Sequence, residues 1–172
     1  MKIVRIAAFL SVMLLVAQPF AAAESPAEKS FGQLRTLIGN WDGKNSAGTP
    51  LEVSFRETSA GSALLSAIHV GSSNAEDMVS IFHLDGDRLM LTHYCTAGNQ
   101  PRMTSRVSPD GKTITFDFFD ATNLAHPDDG HMWRVVIAML DAHHHTETWV
   151  YIDHGKRTTE VYDLRRSSSA RN

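Results

Sequence analysis

Only one cysteine, Cys95, occurs in the 172 residues, so no disulfide can form within the chain. Basic residues show no excess either: 16 Lys and Arg face 19 Asp and Glu, for a formal charge of −3. That balance argues against nucleic acid or an anionic membrane surface as the default partner. Beyond the N-terminal segment, no apolar stretch approaches the roughly 20 residues that a spanning helix needs. Several signatures of known chemistry are also missing: no Gly-x-Ser-x-Gly, no phosphate-binding loop, no dinucleotide fingerprint and no His-Glu-x-x-His. These absences weigh against an enzyme without excluding one.

The N-terminal segment Met1–Ala23 reads as a cleaved secretory signal. Lys2 and Arg5 give it a positive start, Ile6–Val16 an apolar run, and Ala21-Ala22-Ala23 a small-residue cleavage site. The expected mature protein of about 150 residues is enough for one domain with a single core. It is expected in the periplasm or secreted, with no membrane span, as a monomer or homodimer. The division that follows is a signal peptide over 1–23, one domain over 24–166 and a polar, disordered tail over 167–172.

Ser25-Pro26 has the form of a helix start, with Ser25 as N-cap and proline at the first helical position. Phe31, Leu34, Leu37 and Ile38 form one apolar stripe, predicting a helix over Pro26–Ile38 that Gly39 stops. From Asn40 onward the hydrophobic period shortens to two, and turn residues recur about every ten positions. Ten strands are predicted: 40–44, 51–58, 63–70, 77–84, 88–94, 101–107, 113–120, 131–140, 145–152 and 157–165. Connections such as Asp85-Gly86-Asp87 and Ser108-Pro109-Asp110-Gly111 suit hairpins. Ten strands approach the limit of an open twisted sheet, and closure removes the exposed edges. The fold class is therefore all-β, an antiparallel meander β-barrel with one short N-terminal helix.

The segment Leu37-Ile38-Gly39-Asn40-Trp41-Asp42-Gly43 carries the Gly-x-Trp pattern, after a short helix, that opens the first strand in lipocalins and their calycin relatives. In lipocalins a basic residue of the last strand packs over this tryptophan, which the resemblance assigns here to Arg165 or Arg166. Longer strings, Phe82–Cys95, Gly98–Met103, Phe116–Asn123 and Gly130–Met132, resemble a group of exported bacterial lipocalin-like proteins with no assigned function. That resemblance implies a barrel and no reaction. The nitrobindins are similar too, with Leu-x-Gly-x-Trp near the start of a ten-stranded haem barrel. Their haem-ligating histidine lies near the chain end, where the strand 157–165 has none, so haem binding is disfavoured.

Alternation puts Leu89, Leu91 and His93 on one face of their strand, with Cys95 continuing it. An imidazole and a thiol thus point the same way, and His131 is the natural third member of a zinc or copper site. The spacing is no recognised metal motif, so no cofactor or metal is expected, with zinc as the alternative. A structural histidine and a buried, inert thiol is the simpler reading.

Two connections, Cys95–Gln100 and Ala121–Gly130, are longer and more polar than hairpins need, and loops on a rigid scaffold carry function. They bring in Asn99, Gln100, Arg102, Asp120 and Asn123. Arg102 either offers its planar fork to a ligand carboxylate or forms a buried ion pair with Asp120 at the barrel mouth. The tract His143-His144-His145 reads as a solvated strand start. Of Phe118 and Phe119, one must face outward.

The leading expectation is an exported barrel binding a small, partly apolar ligand whose polar group meets His93, Cys95, Asn99, Gln100, Arg102, Asp120, Asn123 and His131. The alternatives are an enzyme using His93, Cys95 and His131, and a filled barrel acting through its surface.

Overall fold

The computed structural model describes residues 23–71 and 78–168. The segment expected to be a signal, apart from Ala23, lies outside the described residues, as do 72–77 and 169–172 of the expected tail. One helix, α1 (Pro26–Arg35), precedes ten strands: β1 (Gly39–Asn45), β2 (Pro50–Thr58), β3 (Ala63–Val70), β4 (Met78–Asp85), β5 (Arg88–Tyr94), β6 (Gln100–Val107), β7 (Thr113–Thr122), β8 (His131–Asp141), β9 (His144–Asp153) and β10 (Lys156–Arg166). Each strand pairs antiparallel with its sequence neighbours, and β1 pairs with β10 to close the barrel. The expected all-β meander barrel with one helix is the fold observed.

The N-terminus of α1 is built as its sequence indicates. Ser25 Oγ accepts from the Glu28 amide while Glu28 Oε2 accepts from the Ser25 amide, a reciprocal capping box. The helix ends at Arg35, three residues earlier than the apolar stripe predicts. Leu37 nevertheless remains buried, whereas Ile38 is exposed. Ala27, Phe31 and Leu34 face the barrel core.

The seam between β1 and β10 needs two special residues. Gly43 lies against the backbone of Asp163, where an added Cβ would overlap the Asp163 carbonyl oxygen. Arg166, paired in register with Trp41, stacks its guanidinium 4.2 Å from the indole centroid. The same side chain donates to the carbonyls of Ile38, Thr36 and Ala142. Of the two arginines assigned by the lipocalin resemblance, Arg166 is the one that covers Trp41.

In a meander, alternate hairpins fall at opposite ends of the barrel. The β2–β3, β4–β5, β6–β7 and β8–β9 turns share one end, and α1 packs there. Arg35 donates to Gly61 O in the β2–β3 turn, and the Gln33 side chain lies against Gly111 in the β6–β7 turn. Apolar side chains fill this closed end, among them Leu34, Leu64, Leu89, Phe55 and Phe82. The other end carries both long connections, β5–β6 and β7–β8.

Candidate functional site

The strand alternation places a ladder of inward-facing side chains on β9 and β10. His145, Glu147, Trp149 and Tyr151 pair across the sheet with Leu164, Tyr162, Glu160 and Thr158. The ladder begins as dense apolar packing and becomes a cavity. At its closed end His145 is fully buried, with its ring edge-on to Trp41 at 4.2 Å and 5.9 Å from Phe55. This corrects the reading of the histidine tract as solvated. His143 is exposed in the turn, but His145 points inward because Trp41 and Phe55, distant in sequence, build an aromatic wall around its position.

One step toward the open end, the Glu147 carboxylate is buried yet partnered. Trp149 Nε1 donates to Oε2 at 3.0 Å, and His145 Nε2 lies 3.3 Å from Oε1. Burying a carboxylate is costly unless its oxygens are bonded, and these two contacts meet that need. On the facing strands Ser66, Ser80 and His93 are equally buried, with Ser66 opposite Ser80 and Ser80 opposite His93 in register. Ser80 Oγ and His93 Nδ1 share a 2.9 Å hydrogen bond, while His93 Nε2 is buried without a partner. Desolvation pushes the His93 pKa down to about 4, so its ring is neutral near pH 7. Trp149 packs 4.9 Å from the His93 ring.

Above this polar belt opens a cavity of about 470 Å³, lined by Met78, Met132, Trp149, Tyr151, Tyr162 and Glu160, with Thr158 and the turn Cys95-Thr96-Ala97 at its edge. The Trp149 and Tyr162 rings stand 6.2 Å apart, tilted by 37°. Glu160 accepts from Asn45 Nδ2 at 2.6 Å and from the Tyr162 hydroxyl at 3.4 Å. The Tyr151 pKa is raised, chiefly by burial and then by the nearby Cys95 and Asp153. Gly130 lets the Tyr151 hydroxyl sit where a Cβ would otherwise be.

Of the eight residues expected from sequence, Cys95 alone lines this cavity, half-buried at its edge. His93 lies one layer deeper on the same face. Asn99, Gln100 and Asn123 hold the two long connections together instead. Asn99 Nδ2 donates to Gly130 O, Asn123 Nδ2 to Gly98 O, and the Thr122 hydroxyl to Gln100 Oε1. Asn123 does this with a left-handed backbone, φ 53°, a conformation asparagine tolerates better than most residues.

Arg102 and Asp120 form their ion pair, but on the outer surface rather than buried at the mouth. Ordinary alternation along β6 turns Arg102 outward and Met103 into the core, and a bulge at Phe119 on β7 brings Asp120 to the outer face opposite Arg102. The Arg102 pKa is accordingly raised, first by its hydrogen bond to Asp120. His131 is buried beside Phe118 at 4.5 Å and near Trp133, with Nδ1 2.7 Å from Asp129 O. Among the described residues, no three His, Cys, Asp or Glu side chains are gathered closely enough to hold a metal ion, so His93, Cys95 and His131 do not form one set.

Among the cavity walls that sequence reasoning missed are Tyr151, Tyr162 and Glu160. Their signal was the period of two in His145-x-Glu147-x-Trp149-x-Tyr151 and Thr158-x-Glu160-x-Tyr162.

A second recess of about 1010 Å³ runs beside α1, between the helix and the β5–β7 edge, with Phe119 52% exposed on its wall. Phe119 is thus the outward member of the phenylalanine pair, under Arg88 at 5.3 Å. This recess is larger, but the barrel-end cavity is walled by inward-facing aromatic side chains from a closed scaffold, the usual character of a small-molecule site.

Fold and cavity together define a closed ten-stranded antiparallel barrel, plugged at one end by a helix and open at the other. No family model and no curated protein matches the chain. Solved structures do. The chain is similar to Rv2717c of M. tuberculosis at 16% identity and a TM-score of 0.57, covering 83% of this chain and 98% of that one. It is also similar to a protein of unknown function of the DUF3598 family from Nostoc punctiforme, at 9% identity and a TM-score of 0.51. That likeness covers 78% of this chain and 49% of the other, so this chain spans about half the second protein's length. Identities this low show a shared barrel fold and nothing further.

Proposed function

We propose that this protein is an exported, lipocalin-like barrel that binds a small, partly apolar molecule in the open end of its barrel. The observation that carries the reading is the 470 Å³ cavity walled by Trp149, Tyr151, Tyr162, Met78 and Met132. Its size falls in the range of about 300–1,000 Å³ common to small-molecule sites, and apolar walls with a few polar groups match their chemistry. The closed end supports the same reading, because α1 and the aromatic layer seal it and leave one route in. Export rests on the leader Met1–Ala23, whose basic start, apolar run and small-residue site fit a secretory signal. The periplasm or the exterior is the compartment that follows from it.

An enzyme acting through His93, Cys95 and His131 is less well supported. His93 is bonded to Ser80 beneath Trp149, and His131 is packed with Phe118 outside that cluster.

Native mass spectrometry of the protein isolated from its source tests the binding reading. A bound small molecule is expected on the native chain and is expected to be lost in Ala97→Trp, which fills the cavity edge. Protein that is empty from its source, with tryptophan emission unmoved by a broad set of small amphiphiles, overturns the reading.

A further inference from the structure

We infer that the molecule taken by the barrel-end cavity is an organic cation, an amine or quaternary ammonium on a small apolar body; this rests on the binding reading above. Among the described residues, the cavity walls carry one carboxylate, Glu160, and no lysine, arginine or histidine. Both hydrogen bonds to that carboxylate come from neutral donors, the Asn45 amide and the Tyr162 hydroxyl. No Lys, Arg or His among the described residues forms an ion pair with it. Among the described residues, that carboxylate therefore lines the cavity without a cationic side chain beside it.

The rest of the wall has the same preference. Trp149, Tyr162 and Tyr151 line it with aromatic rings, and the negative quadrupole of such rings attracts a cation, most strongly when the site excludes water. Met78 and Met132 add polarizable thioethers that pack well against alkyl groups. Deeper in, Glu147 bonds Trp149 and His145 and does not line the cavity, which leaves Glu160 as the carboxylate on the described wall. His93 contributes no positive charge beneath Trp149, because burial keeps its ring neutral. An inorganic cation is a poor fit, since no three ligating side chains converge here among the described residues. An anion would meet the Glu160 charge with no cationic side chain to offset it.

Three probes with one alkyl chain separate these chemistries: hexyltrimethylammonium, hexanoate and hexanol, titrated below micelle formation. Tryptophan emission and calorimetry on the mature protein follow their binding. The ammonium probe is expected to bind about tenfold or more tighter than hexanoate, as one desolvated cation–π and charge contact supplies. Glu160→Gln, which removes the charge and keeps one acceptor oxygen, is expected to erase that preference, read as the ratio of ammonium to hexanoate affinity within the variant. Equal affinities, or tighter hexanoate, overturn the cation inference and leave the binding reading standing. Ammonium binding that persists in both Glu160→Gln and Ala97→Trp is surface binding and overturns it too. If none of the probes binds, the molecule carried from the source decides: one without a cationic group overturns the inference, and an empty barrel overturns both.

Discussion

The two ends of the barrel are built from the same ten strands yet solve opposite problems. At the closed end, Leu34 and Phe31 of α1 join Leu64, Leu89 and Phe55 in one buried apolar cluster. At the open end, the same inward positions hold Glu160, Tyr151, Thr158 and Cys95 around empty space. Between them lies the belt of Ser66, Ser80, His93 and Glu147, buried as deeply as the core but polar. The gradient along the barrel axis shows where stability resides: apolar burial contributes at the helix end, while the mouth gives up packing for a cavity.

The largest effects are therefore expected at the closed end. Leu34→Ala removes a fully buried side chain between helix and barrel, and large-to-small changes there cost about 2–5 kcal/mol. Met78→Ala at the half-buried open end is expected to cost well under half as much. Chemical denaturation of the two variants side by side checks the contrast, and equal losses would show that the mouth is packed as tightly as the plug.

The polar belt is expected to set the acid limit of the fold. In the unfolded chain His93 takes up a proton near pH 6.5; in the folded barrel it resists until about pH 4. Between those values the unfolded state holds more protons, so stability falls as pH drops from 6.5 to 4 and is unaffected by this group above that window. Fully expressed, the loss is about 3 kcal/mol. His93→Gln is expected to flatten the pH dependence of unfolding within that window. A variant with the wild-type slope would locate the acid sensitivity elsewhere.

Much of the barrel is legible before any coordinates. Period-two alternation and recurrent turn residues depend on local backbone chemistry, so strand order and most strand limits follow from them to within one or two residues. The inward face of His93 and Cys95 follows from the same alternation. The clasp residues resisted this reasoning for a physical reason. Asn99, Gln100 and Asn123 are polar because two loops, brought together only by the barrel, must satisfy each other's backbone. Sequence shows the polarity but not which partner absorbs it. Likewise, a one-residue bulge on β7 decides that Asp120 meets Arg102 on the outer face, and His145 is buried by Trp41 and Phe55, about a hundred residues earlier in the chain.

Arg166 sits at the closed end but outside the core, and its expected effect is smaller. Arg166→Ala removes the stacking on Trp41 and three hydrogen bonds to backbone carbonyls, which fasten the α1–β1 and β8–β9 connections to the β10 seam. A loss of about 2 kcal/mol is expected, since each exposed contact contributes modestly. Arg166→Lys is expected to recover only part, because an ammonium cannot form the planar stack or reach three carbonyls at once. Full rescue by lysine, read from melting temperatures, would reduce the residue to its charge.

The smallest stability effect, and the clearest separation of the two ends, is expected from Gly130→Ala. The new methyl group would overlap the Tyr151 hydroxyl, a side-chain end that can swing into the adjacent cavity. Stability should therefore change by less than about 1 kcal/mol, as for surface positions with room to relax. Cavity shape is another matter, because a displaced Tyr151 ring occupies space bounded by Trp149 and Cys95. The variant is expected to weaken binding of any cavity ligand several-fold and to alter the reaction rate of the Cys95 thiol, with the melting curve nearly unmoved. Gly43→Ala makes the reciprocal test at the seam, where the overlap is with the Asp163 backbone and nothing can swing aside. It is expected to lower the melting temperature, the change that Gly130→Ala spares. If both variants lost stability equally, the mouth would be as rigid as the seam, and its cavity would be packed framework instead of an adaptable site.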